Sequence, residues 1–140
     1  MCAHADSLWS HLSWSAAFLV FLVSHAAGDI LLQTDWQAVT KVRGLGDPES
    51  RRALTQHVAV YTLAFLPALA WVAAETTAAR AAFVGALVAV PHLIIDDGRL
   101  VGAWLHGVKH VPNPGLGLRI AVDQTFHALC LLGAALVAAA

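Results

Sequence analysis

Charge is what this chain of 140 residues lacks most: Asp, Glu, Lys and Arg make up 12% of it, against 59% hydrophobic residues and a mean hydropathy of +0.68. So little polar surface cannot cover a soluble domain of this size, and the composition is that of a membrane protein. A net charge of -1, with no basic cluster, leaves no electrostatic footprint for nucleic acid. Two cysteines, Cys2 and Cys130, without CxxC spacing, make no disulfide framework. No Lys or Arg precedes the apolar run 16–23, which argues against a cleaved signal peptide even though Ala26, Ala27 and Gly28 follow it. Cleavage there would also part His25 from Asp29. The segment therefore reads as a retained membrane helix.

Four apolar segments, 12–33, 54–74, 77–96 and 118–139, are long enough to cross the hydrocarbon, which takes roughly 20 helical residues. They predict an all-α membrane protein, a single domain over 1–140, with its spans in an up-down-up-down bundle. The first helix is expected to run on through Trp36 toward Lys41, stopping at the turn made by Gly44, Gly46, Asp47 and Pro48. Thr76 or Thr77 is expected to cap the third span, and Pro67 and Pro91 to lie inside helices. Between spans three and four, Leu100, Val101, Trp104, Leu105 and Val108 share a stripe that suits a short interfacial helix.

Within these apolar runs stands a recurring pair. His25, Asp29 and Gln33 follow one another at steps of four, His92 and Asp96 repeat the spacing, and Asp123 and His127 reverse it. Steps of four share one helix face, and ionisable groups in apolar surroundings need a partner, an ion or a water-filled cavity. His57 adds a further imidazole. In the expected bundle, all of these groups lie at helix ends that share one side, so they can converge.

Four imidazoles and three carboxylates, from His25, Asp29, His57, His92, Asp96, Asp123 and His127, suit a divalent transition metal. Zn fits best, with Mn or Fe also compatible. Zinc takes four ligands at most, and catalytic zinc three plus water. Seven groups are an excess, so either two ions share the site or some aspartates orient metal-bound histidines. Gln33 and Gln124 are expected to support the ligands by hydrogen bonding. His4, His11, His106 and His110 read as exposed or solvated, Asp35, Trp36, Tyr61 and Trp104 as interfacial anchors, and Lys41, Arg51 and Arg52 as topology determinants. A metal-free polar network that stiffens the bundle or relays protons is the competing reading of the same residues.

The run from His25 to Trp36 followed by Lys41, His57 with Tyr61 four on, His92 to Asp96, and Asp123-Gln124 with His127 together resemble the motif series of the bacterial membrane proteins grouped as domain of unknown function 3307. The resemblance spans nearly the whole chain. That family is in turn distantly similar to inner-membrane proteins described as metal-dependent hydrolases. The resemblance implies a four-span helical fold and metal-dependent hydrolysis for His25, Asp29, His92, Asp96, Asp123 and His127. The pattern places a lysine three residues after Asp96, where this chain has Arg99.

The leading functional reading is a metal-dependent hydrolase whose metal-bound water is the nucleophile, with Asp29 or Asp96 as general base. Its substrate would be an amphiphilic ester, amide or phosphoester whose tail stays in membrane lipid. The alternative is a small transporter subunit for a metal ion or protons. The apolar outer halves of the spans, 16–23, 65–73, 81–88 and 131–139, make a through-path poor for a monomer and leave a homo-oligomer open. A non-enzymatic accessory subunit is a third reading. A di-iron oxygen-activating site ranks lower, because such bundle sites rely on glutamates and Glu49 and Glu75 lie away from the cluster.

Basic residues set the expected orientation in a bacterial inner membrane. Seven of them (Lys41, Arg43, Arg51, Arg52, Arg99, Lys109 and Arg119) fall on one side, and Arg80 alone on the other. The positive-inside rule then places both termini outside and the two long loops, with the His/Asp site, toward the cytoplasm. In a background without Cys2 and Cys130, an impermeant thiol reagent applied to intact cells should spare Asp47→Cys and His106→Cys; labelling of either would reverse the topology.

Overall fold

The computed structural model describes residues 12–140, which are helical throughout their regular structure; no strand occurs among the described residues. Cys2, His4 and His11 lie outside the described residues. Helix α1 spans Trp14–Ala26 and opens on Ser13, whose hydroxyl accepts from the Ala16 N–H at 3.2 Å. It continues through a π-helical turn, Ala27–Leu31. There the helix ends, short of the expected run toward Lys41. The reason is local: Thr34 and Gln37 form a capping box that starts a separate helix, α2, Asp35–Thr40. A new cap competes for the backbone groups that the first helix would have needed to continue. A 3-10 turn, Lys41–Arg43, leads to Gly44 at φ +88°, the left-handed conformation that glycine adopts most readily.

Helix α3, Pro48–Ala64, begins with Asp47 as its cap and Pro48 in its first turn, several residues before the expected start of span two. It breaks at Phe65, and α4, Leu66–Glu75, continues at an angle of 45°. Pro67 therefore lies in the first turn of α4 rather than inside one continuous helix. Its missing N–H and its ring, which would collide with the Leu63 carbonyl, make a helix start the cheapest place for it. Thr77 caps α5, Ala78–Asp96, and Pro91 is accommodated inside that helix. After Gly98, at φ +77°, come α6, Arg99–Ala103, and a second π turn, Trp104–Val108. From the expected interfacial stripe only Val101 and Leu105 are buried, while Leu100, Trp104 and Val108 stay exposed. Helix α7, Leu116–Ala139, closes the chain.

Three helical segments, Trp14–Leu31, Ala78–Asp96 and Leu116–Ala139, are long and apolar enough to cross a membrane, and α3 with α4 makes a fourth if the bent pair is one span. Only 22–28% of each of the three apolar windows is buried inside the protein. Large side chains such as Val23, Leu31, Leu63, Phe83 and Leu129 instead point outward, where lipid would solvate them. The interior is built differently. Ala17, Ala68, Ala81, Ala134, Ala135 and Ala138, with Phe21, Phe65, Val72, Val84, Val88 and Leu131, form the main core. Small residues let backbones approach closely, which is how helices associate when lipid removes the hydrophobic drive between them. Helix α7 packs on α1 and α5, and α5 packs also on α3 and α4.

One close approach joins this scaffold to the polar cluster. A Cβ on Gly28 would lie 2.8 Å from Tyr61 Cδ2 and 3.1 Å from Tyr61 Cα, so the π turn and α3 touch through a bare backbone. Gly28→Ala should lower stability by about 1–3 kcal/mol through overpacking, read as a reduced thermal midpoint of the detergent-purified protein.

Candidate metal centre

The π turn after α1 carries Asp29 inward. Gln124 on α7 donates its amide N–H to Asp29 Oδ2 at 2.9 Å, while Asp29 Oδ1 faces His57 Nε2 of α3 at 3.2 Å. His57 Nε2 lies 3.0 Å from Asp96 Oδ2 and 3.0 Å from His92 Nε2, both on α5, and His92 Nε2 lies 3.2 Å from Asp96 Oδ2. His57, His92 and Asp96 are all buried. Pro91, directly before His92, removes one helical hydrogen bond at the point where that ring turns into the cluster.

These four side chains, Asp29, His57, His92 and Asp96, each present a ligand atom within 4.8 Å of the others and could hold a metal ion. Their spacing fits one. Ligands about 2.0–2.1 Å from a tetrahedral zinc stand about 3.3 Å apart along the edges of the tetrahedron. A nitrogen with one hydrogen or one lone pair cannot satisfy two carboxylate oxygens and a second imidazole together, whereas a cation at their common centre can. Asp29 Oδ1 is moreover buried without a hydrogen-bond partner, as is His57 Nδ1. An unpaired buried carboxylate oxygen is costly, which makes it a ready acceptor for whatever occupies the centre.

Asp96, Asp123 and His127 form a second group of ligand atoms sharing Asp96 with the first. His127 also links to the first group directly. Its Nε2 lies 2.8 Å from His92 Nδ1, and its Nδ1 lies 3.0 Å from the Asp123 carbonyl oxygen. A nitrogen beside a carbonyl must carry the proton, so Nδ1–H donates to Asp123 and Nε2 accepts from His92 Nδ1–H. That bond fixes the His92 tautomer with its lone pair on Nε2, toward the centre.

His25 stands apart from both groups. Because the Gln124 amide nitrogen is directed at Asp29 and, at 3.1 Å, at Asp123, its oxygen accepts from His25 Nε2–H at 3.0 Å. His25 Nδ1 then accepts from the Tyr61 hydroxyl at 3.1 Å. Both ring nitrogens are engaged, and His25 holds Gln124 rather than facing the centre. Gln33 lies near His57 at 3.4 Å. With its amide turned to donate to the Asp29 carbonyl oxygen, its own oxygen accepts from Lys41 Nζ at 2.5 Å.

Two residues play parts that sequence reasoning assigned elsewhere. Tyr61, expected at the membrane interface, is fully buried and stacks on His92 with ring centroids 3.4 Å apart and planes 4° from parallel. Its position four residues after His57 already placed both on one face of α3, and the histidine, not the interface, decides its surroundings. Lys41, expected to set topology from a loop, is buried. Its Nζ donates to Asp96 Oδ2 at 2.6 Å and lies 3.6 Å from Asp29 Oδ1. No local pattern announces this, because it follows from the break after Leu31 that turns α2 back over the cluster. Arg99, in the place of the expected lysine, pairs instead with Asp97, whose other oxygen accepts from the Leu45 N–H at 2.8 Å.

The chain is thus an all-α protein of membrane-spanning composition with a buried His/Asp cluster that could hold a metal ion. It belongs to the family described as protein of unknown function DUF3307, whose model matches residues 17–139. Comparison with curated proteins and with solved structures returns no match. The distant similarity to metal-dependent hydrolases that the family resemblance implied finds no support in these comparisons.

Tyr61 separates two contributions to the cluster. Tyr61→Phe keeps the stack on His92 but leaves the buried His25 Nδ1 without its donor, so it should cost about 1–3 kcal/mol. Tyr61→Ala also opens a cavity and should cost about 3–5 kcal/mol. Denaturation of both variants in one detergent checks the order.

Proposed function

We propose that the chain is an integral membrane hydrolase dependent on a divalent transition metal, zinc before manganese or iron. His57, His92 and Asp96 would hold the metal, and Asp29 would be the general base. One observation carries the reading. Three ligand atoms stand 3.0–3.2 Å from one another, and a fourth, the unpartnered Asp29 Oδ1, faces the same centre. That is the division a catalytic zinc requires, three protein ligands and an open position. When bound, such a metal lowers the pKa of coordinated water to about 7 and so supplies a nucleophile at neutral pH.

The protein's own groups do the rest. Asp29, held through Oδ2 by Gln124, has Oδ1 free to take a proton from the attacking water and return it to the leaving group. His127 keeps the His92 lone pair on Nε2. The apolar helices exclude bulk water and leave lipid as the medium on every outer face. This suits an amphiphilic ester, amide or phosphoester presented from the cytoplasmic leaflet, where the basic loops orient the site. The Lys41–Asp96 contact favours a second reading, a metal-free ion network that stiffens the helices. In that case the protein would purify without stoichiometric metal.

Metal analysis of gently purified protein separates the two readings. At least one transition-metal ion per chain is expected, lost in His57→Ala and His92→Ala. Asp29→Asn should keep the metal and the fold while turnover falls by about 10²-fold or more. Metal-free wild-type protein would overturn the hydrolase reading, and metal loss in Asp29→Asn would make Asp29 a ligand.

A further inference from the structure

Lys41 places a cation inside the cluster. Its stem leaves the 3-10 turn after α2, and its ammonium donates to Asp96 Oδ2 at 2.6 Å, closer to that oxygen than His57 at 3.0 Å or His92 at 3.2 Å. It also lies 3.6 Å from the otherwise unpartnered Asp29 Oδ1. The ammonium therefore lies against the two carboxylate oxygens that face the metal centre.

A contact of 2.6 Å is short for a charge-assisted N–H to carboxylate bond, and the pair is nearly shielded from solvent. A carboxylate oxygen offers two lone pairs, and here one is already committed to the ammonium. A divalent cation about 2 Å from the same oxygen would stand within a few ångströms of Nζ. In surroundings of low dielectric, that repulsion is weakly screened. Two buried carboxylates without any cation would be costly as well, so the ammonium has a role whenever metal is absent.

The buried pair has an opening beside it. An open cavity of about 330 Å³ is lined by the residues following each partner of the pair, Val42 and Arg43 after Lys41, and Asp97 to Arg99 after Asp96. The Lys41–Asp96 pair thus lies one residue along the chain from this cavity on both sides.

We propose that Lys41 is an internal counter-cation that competes with the metal for Asp96 and Asp29, so that loading the site is an exchange of one cation for another. This rests on the metal reading above and adds a threshold to it. The lysine keeps the empty cluster folded and excludes ions, such as Mg²⁺, that bind a mixed His/Asp set too weakly to displace an ammonium.

The test is zinc affinity, measured by competition with a chromophoric chelator in detergent, for wild type, Lys41→Met, Lys41→Gln and Lys41→Arg. Removing the charge should tighten zinc binding at least tenfold in Met and Gln and lower the thermal midpoint of the metal-free protein, while Arg stays within a few-fold of wild type. Gln retains a hydrogen-bond donor for Asp96 and gives the answer if Met does not fold. Weaker or unchanged binding in Met and Gln would overturn the proposal and leave the metal reading standing, since Lys41 would then merely orient Asp96. Binding by Met and Gln but not by wild type would support the competition and sink the hydrolase. Zinc binding by none of the four would overturn both.

Discussion

The Asp96 carboxylate is the group on which the rest of the polar interior depends. One of its oxygens meets an ammonium from the segment after the first apolar helix, an imidazole from α3 and an imidazole from its own helix. The other faces His127 of α7 at 3.5 Å. A buried carboxylate is costly in isolation, so each of these contacts compensates it, and together they draw several helices to one point. An ion pair of this kind adds little net stability over an apolar core. It does specify which residues must meet, because any other register would leave a charge unpaired.

The departures from regular helix lie where that convergence needs them. A π turn widens the helix at Asp29, a capping box after Leu31 starts the separate segment that brings in Lys41, and Pro91 withholds one helical hydrogen bond from α5 just before His92. Gly28 allows the π turn to reach the backbone of α3 without a clash. Away from the cluster, α1, α5 and α7 are ordinary apolar helices packed through alanine. The molecule therefore divides into a scaffold whose packing is generic and a polar cluster whose geometry is specific.

In such a cluster the roles of similar residues diverge. Four histidines point inward, yet His57 and His92 aim a nitrogen at the centre, His127 orients His92, and His25 acts on Gln124. The difference arises from which nitrogen is already engaged. Spacing along a helix cannot reveal that, since every pair one turn apart looks alike before its neighbours are known.

The sequence alone determined the composition of a membrane protein, the presence of apolar helices and the identity of most of the cluster. Hydropathy and the four-residue step are local properties, and ionisable groups in apolar runs are too costly to be accidental. A threonine cap at position 76 or 77 was also within its reach, and the structure uses Thr77. Tertiary structure alone decided that the first helix ends after Leu31, that Tyr61 lies inside on His92, and that Lys41 is a buried partner of Asp96. Those outcomes depend on competition between distant segments: a cap against helix continuation, a ring stack against the interface, an ammonium against solvent. The energies on each side come from contacts that exist only once the helices have met.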